Sequence, residues 1–151
     1  MAWPVNKFDL EKFKNLGDVE LAAYMDPRIV DAEFRVLNSD LNYLSSNIEA
    51  FDEYHLVYAI LLGMRFSAKE FAELVAQRLS CEYDASVRCA AANSLLEMPI
   101  GDVSDNVVKI VSRIRSEYQS DQVLQKVWTR IRSASLGSAL FFSFFTAARW
   151  T

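Results

Sequence analysis

Residues 83–99 read YDASVRCAAANSLLEMP, and this stretch decides the fold. At about 100° per residue, one helical face holds Val87, Ala91 and Leu95, and the other holds Cys89, Ala92 and Leu96. A helix that is apolar on nearly all sides is buried on both, and alanines let neighbouring backbones approach closely. The stretch therefore predicts a helix packed between two others, with Cys89 among its buried residues.

The rest of the chain also has the features of a helical protein. Its 151 residues include only 4 Gly and 3 Pro, too few for a fold built on many tight turns. No segment alternates regularly between polar and apolar residues. Helix start signals recur instead, at Asn6 or Asp9, Asp18, Asp26-Pro27, Asp52, the capping box of Ser67 with Glu70, Asp84, Asp102 or Ser104, and Ser120 or Asp121. We expect an all-α protein of eight or nine helices.

The longest of these predicted helices follows Asp26-Pro27, which has the form of an N-cap followed by proline at the first helical position. Apolar residues then recur at spacings of three and four, at Ile29, Val30, Phe34, Leu37, Leu41 and Leu44. This pattern predicts one amphipathic helix of about 18 residues.

The helix-initiating aspartates Asp52, Asp84 and Asp121 are 32 and 37 residues apart. A repeat of this length is typical of helical solenoids, whose units bury their apolar faces only by stacking. Around Asp84 the pattern also matches in detail, because Val87-Arg88, Ala91 and Leu95 follow at fixed offsets.

Residues 84–96 in this way resemble the first helix of a HEAT repeat, and residues 52–150 resemble the family in their period. The Val-Arg pair and the alanines are missing after Asp52 and Asp121. The resemblance implies a right-handed α-solenoid of antiparallel helix pairs over residues 52–150. Residues 1–50 would then be N-terminal helices of the same single domain, 1–151. The resemblance to a HEAT repeat also implies that Asp84 and Arg88 take part in polar ladders between repeats.

Charge is distributed unevenly along the chain, whose formal net charge is −4. This negative charge argues against a nucleic-acid partner. Lys and Arg are absent between Arg35 and Arg65, and this base-free stretch holds the acids Asp40, Glu49, Asp52 and Glu53 beside Tyr43 and Tyr54. Tyrosine supplies rigid contact area, and acids steer a basic protein. We expect these six residues to bind a basic protein partner, although the acids could equally be solvated helix caps.

Motifs for catalysis, metal binding or cofactor binding are not recognisable in the sequence. The single histidine, His55, has apolar neighbours and is interpreted as structural, and Cys81 and Cys89 have no metal-binding spacing. The prediction is a non-enzymatic protein with no metal site and no cofactor. The longest uncharged run, residues 133–148, is 16 residues long, against about 20 for a membrane-spanning helix. The N-terminus has no apolar signal segment, so we expect a cytoplasmic protein.

In size, acidity and lack of catalytic residues, the chain looks like the immunity proteins of bacterial toxin systems. That resemblance implies that it occludes a cognate toxin, such as a nuclease with a cationic site. One alternative is a HEAT-like adaptor or assembly factor, and another is an enzyme centred on His55.

A separate question concerns the aromatic C-terminal segment SALFFSFFTAARW, residues 138–150. In one interpretation it is the last layer of the core. In the other, its thinner face with Thr146 and Trp150 pairs with a second copy of the chain or with a partner.

Overall fold

The computed structural model describes residues 7–29 and 33–133, with only the backbone given for residues 26–29. The aromatic C-terminal segment therefore lies outside the described residues. Within them the chain forms eight α-helices and no strand, so the all-α prediction is confirmed. The helices are α1 (Leu10–Asn15), α2 (Asp18–Ile29), α3 (Asn38–Ser46), α4 (Glu53–Phe66), α5 (Ala68–Gln77), α6 (Ala85–Glu97), α7 (Asp105–Glu117) and α8 (residues 122–133).

Most of the helix starts lie where the capping signals predict them. The side chains of Asp9, Asp52, Ser104 and Asp121 each accept a hydrogen bond from the backbone N–H three residues later. These bonds satisfy N–H groups that have no partner within the helix. Ser67 and Asp84 also precede helices, but their side chains make no capping hydrogen bond, so the predicted capping box at Ser67 is wrong.

The helix predicted to start at Asp26-Pro27 is also wrong. Those two residues lie near the end of α2, and the next helix begins only at Asn38. A tertiary contact overrides the local pattern: Phe34 is fully buried against the ring of Phe8, with centroids 6.4 Å apart. The backbone N–H of Phe8 also donates to the carbonyl of Arg35 at 2.8 Å, and residues 34–37 are not helical.

Helix α4 lies at the centre of the described fold, in contact with α2, α3, α5 and α6. It packs tightly against α5 at Gly63, where a Cβ atom would lie 2.1 Å from the Cδ2 atom of Phe71. Phe71 is itself only 1% exposed. The missing side chain at Gly63 therefore lets α5 pack directly on α4.

Helix α6 is buried on two sides, as its alanines predict. Its buried residues are Val87, Ala90, Ala91, Ala92, Ser94 and Leu95. It packs against α4 and α5, and at its C-terminal end Arg130 of α8 donates hydrogen bonds to the carbonyls of Leu96 and Met98. Cys89 was expected among the buried residues and is exposed, because it lies in a narrow solvent-facing strip with Ser86, Asn93 and Glu97.

Candidate functional site

The six predicted partner-binding residues lie on three neighbouring elements. Asp40 and Tyr43 belong to α3, Glu49 to a 3₁₀ turn over Ile48–Ala50, and Asp52, Glu53 and Tyr54 to the start of α4. Tyr43 and Asp52 line one depression together with Phe51 and His55. Tyr54 is 42% exposed, which makes it one of the few large apolar side chains open to solvent in the described part of the chain.

The stretch that is free of bases in sequence is not free of them in space. The ammonium group of Lys14, on α1, lies 4.9 Å from the centre of the Tyr43 ring and 2.9 Å from a carboxylate oxygen of Glu11. Its hydrogen bond with Glu11 raises the pKa of Lys14. One face of Tyr43 is therefore covered by a lysine of this chain.

Glu49 is engaged by a second base from outside the stretch, Arg78. The guanidinium of Arg78 is 1% exposed and donates to Glu49 at 2.8 Å and to the carbonyl of Leu74 at 3.2 Å. It also lies over the ring of Tyr83, 5.5 Å from its centre. A buried cation needs a counter-charge, so Glu49 has a structural task in the fold.

Asp40 lines a different depression, with Lys7, Asp9 and Glu11. Partial burial and the nearby carboxylate of Asp9 raise the pKa of Asp40, against the opposing effect of Lys7. Asp40 thus lies outside the depression that Tyr43 and Asp52 line.

The N-terminal ends of α4, α6 and α8 adjoin one another. Ser86 of α6 donates a hydrogen bond to Glu53 of α4. Between α6 and α8, Arg88 of α6 donates a hydrogen bond to Asp121, the N-cap residue of α8, at 2.6 Å. The ends of these helices therefore form one edge of the molecule.

Five acids gather along this edge, and we call them the acidic edge: Asp18, Asp52, Glu53, Asp84 and Asp121. Asp18 joins from the start of α2, because its carboxylate lies within 4.8 Å of the ligand atoms of Asp52 and His55. Lys14 and Arg88 lie beside this edge, and each is already paired with an acid, Lys14 with Glu11 and Arg88 with Asp121. The edge therefore keeps an excess of negative charge.

Asp121 is the most constrained of these acids, with a side chain only 16% exposed. Burial alone would raise its pKa, but the N–H of Leu124 and the Arg88 guanidinium outweigh burial and lower the pKa of Asp121. The thiol of Cys81 lies 3.5 Å from the same carboxylate. Burial and this carboxylate raise the pKa of Cys81, which disfavours the reactive thiolate.

His55 is buried, with both ring nitrogens in contact with acceptors. Nε2 lies 3.0 Å from the carbonyl oxygen of Phe13, and Nδ1 lies 2.8 Å from Oδ1 of Asp52. Burial would raise the pKa of Asp52, but hydrogen bonds from His55 lower it. The rings of Phe13 and Phe51 pack against the imidazole, with centroids 5.1 Å and 6.5 Å away.

The proximity of Asp18 to Asp52 and His55 was not predicted from the sequence. Asp52 and His55 are three residues apart at the start of a helix, and that local signal was visible. Asp18 lies on another helix, so only the packing of α2 on α4 brings it close.

No family model, no curated protein and no solved structure matches this chain. Among the described residues, none of the helices has the length and apolar character needed to cross a membrane.

Proposed function

We propose that the protein is a non-enzymatic binding module built as a right-handed, HEAT-like α-solenoid. The contacts of α4 with α6 and of α5 with α7 support this, because stacked repeats place first helices on first helices and second on second. The ion pair between Arg88 and Asp121 joins the starts of two successive units, as a polar ladder would.

The partner that suits this module is a basic protein, and the acidic edge is the observation that carries the proposal. Its excess negative charge would attract a cationic surface and speed association. Tyr54, exposed next to Glu53, offers aromatic contact area of the kind that forms the centre of interfaces. The function is capture and occlusion of that partner, with a bacterial toxin domain such as a nuclease as the proposed target.

The proposed contact surface shifts from the set predicted by sequence. Asp52, Glu53 and Tyr54 form its centre, and Tyr43 borders it. Asp40 and Glu49 are peripheral, because Asp40 lines another depression and Glu49 neutralises Arg78.

The test compares charge reversal at the edge with the same reversal elsewhere. In the edge variant Glu53 and Asp84 are changed to lysine, because Asp84 makes no capping bond and Glu53 is not a cap. The control variant changes Glu70 and Glu73, exposed acids on α5, and alters the net charge by the same amount.

The partner is first captured from a lysate of the native host cells on the immobilised parent protein, and it is identified by mass spectrometry. Binding kinetics of the purified partner are then measured at low and high salt. We expect the edge variant to associate on the order of tenfold more slowly than parent and control, and high salt to reduce this difference. Tyr54→Ala should instead speed dissociation.

An unchanged association rate for the edge variant, or an acidic partner, would refute the proposal. For the toxin assignment, the partner's own activity is measured with the bound protein at equimolar ratio. Full activity in the complex would indicate the adaptor function instead.

A further inference from the structure

Asp18, Asp52 and His55 form a compact cluster contributed by two helices. Asp18 begins α2, Asp52 caps α4 and His55 lies in the first turn of α4. One carboxylate oxygen from each aspartate and one ring nitrogen all lie within 4.8 Å of one another.

Each ring nitrogen of His55 lies close to an acceptor atom, and a neutral imidazole can donate to only one of the two. The carbonyl of Phe13 can only accept, so Nε2, 3.0 Å away, carries a proton. In a neutral imidazole, Nδ1 is then an acceptor, yet it lies 2.8 Å from a carboxylate oxygen of Asp52. Two acceptors at this distance repel unless a cation joins them. That cation is either a second proton, on the ring or on the carboxyl group, or a metal ion bound by both atoms.

The surroundings match those of a metal-binding histidine. Such a histidine typically donates its other N–H to a carbonyl, which fixes the tautomer and the orientation of the ring. Here Phe13 provides the carbonyl, and the rings of Phe13 and Phe51 hold the imidazole in place. Both aspartates are exposed, so an ion can enter from solvent and keep water ligands.

We propose that Asp18, Asp52 and His55 bind a divalent transition-metal ion of the Zn²⁺ class. An imidazole nitrogen with two carboxylate oxygens suits Zn²⁺, whereas Mg²⁺ and Ca²⁺ prefer ligands that are all oxygen. Three protein ligands leave at least one position for water. The ion would also connect α2 to α4. The cluster shares Asp18 and Asp52 with the acidic edge, but the binding of an ion to it requires no protein partner.

The test is calorimetric titration of ZnCl₂ into the full chain after treatment with a chelator. It is done in a background in which Cys81 and Cys89 are both changed to serine, because exposed thiols bind zinc on their own. The decisive variant is Asp18→Asn, which leaves the contact between His55 and Asp52 in place. Asp84→Asn, an exposed acid at the start of α6, is the matched control.

We expect one Zn²⁺ per chain in the parent and in Asp84→Asn, and at least a tenfold weaker affinity in Asp18→Asn. Zinc should raise the melting temperature of the parent more than that of Asp18→Asn, since a ligand that binds only the folded state stabilises it. MgCl₂ at the same concentrations should have no effect. Imidazole ¹⁵N resonances of His55 should shift on addition of zinc.

Equal zinc affinities for parent and Asp18→Asn would overturn the proposal, as would the absence of binding heat in the cysteine-free background. A His55 ring that is doubly protonated and unaffected by excess zinc would show that the second cation is a proton. These measurements involve no protein partner, so their failure leaves the binding proposal to its own test.

Discussion

Changing Gly63 to alanine should destabilise the protein, although alanine is the better helix former. In an exposed helix interior this exchange gains about 1 kcal/mol. At Gly63 the added Cβ would lie 2.1 Å from one ring carbon of Phe71 and 2.4 Å from two others. The ring is 1% exposed and packed in the core, so the added Cβ must displace the ring or push α4 and α5 apart.

The size of the effect follows from these two opposing contributions. Inserting a carbon into a well-packed core costs about 1–3 kcal/mol. This contact is so short that we expect a cost at the upper end, which leaves a net loss of about 1–2 kcal/mol after the gain in helix propensity. For a domain of this size, each kcal/mol lowers the melting temperature by about 2–4 °C.

The assay is urea unfolding, together with thermal unfolding, followed by circular dichroism at 222 nm. The control is Gly101→Ala, because a Cβ atom at Gly101 would have no neighbour within 4 Å. This variant should unfold like the parent. A Gly63→Ala variant at least as stable as the parent would refute the close packing of α4 on α5.

A double-mutant cycle with Phe71→Leu identifies the contact. If the clash is with the ring, Gly63→Ala should cost much less in the Phe71→Leu background than in the parent. Equal costs in both backgrounds would assign the destabilisation to another cause.

Three further predictions concern α6 and its contacts with α8. Ala91→Leu should overpack the buried side of α6 and lower the free energy of unfolding in urea by about 1–3 kcal/mol. Cys89→Leu on the exposed strip should lower it much less, and equal stabilities of the two variants would contradict the packing of α6. Arg130→Gln removes two hydrogen bonds to carbonyls at the end of α6 and should cost about 1–3 kcal/mol, with Arg132→Gln as the exposed control. The pKa of Asp121 is lower in the folded state than in the unfolded chain, so the ionised carboxylate stabilises the fold. This stabilisation is complete above the unfolded-state pKa of about 3.9 and is lost as pH falls through the folded-state pKa. Unfolding free energies measured from pH 7 to pH 2 should therefore fall less steeply below about pH 4 for Asp121→Asn than for the parent, and parallel curves would contradict this.

Local signals in the sequence predicted the helices well. The starts at Asp52 and Asp121 were predictable because a capping side chain acts on N–H groups within three residues of itself. The burial of α6 was predictable because its alanines leave few polar positions. The helix predicted after Asp26-Pro27 failed because the partner of Phe34 is Phe8, which is distant in sequence.

The charges of the candidate site were harder to predict, since they depend on contacts between distant segments. The base-free stretch gave no sign that Lys14 would lie over Tyr43, or that Glu49 would neutralise the buried Arg78. Asp18 joins His55 only through the packing of two helices. Residue spacing along one helix can identify pairs such as Asp52 and His55, but not a third group from another helix.

The single residue between α4 and α5 limits how this protein can change in length. Ser67 ends one helix and begins the next, and its N–H donates to the carbonyl of Gly63 at 2.8 Å. One residue inserted between Ser67 and Phe71 would turn Phe71 by about 100° around the axis of α5 and shift it by about 1.5 Å along that axis, which would carry its ring away from Gly63. Insertions and deletions in descendants or engineered forms of this chain are therefore expected in longer connections, such as residues 78–84 and 98–104.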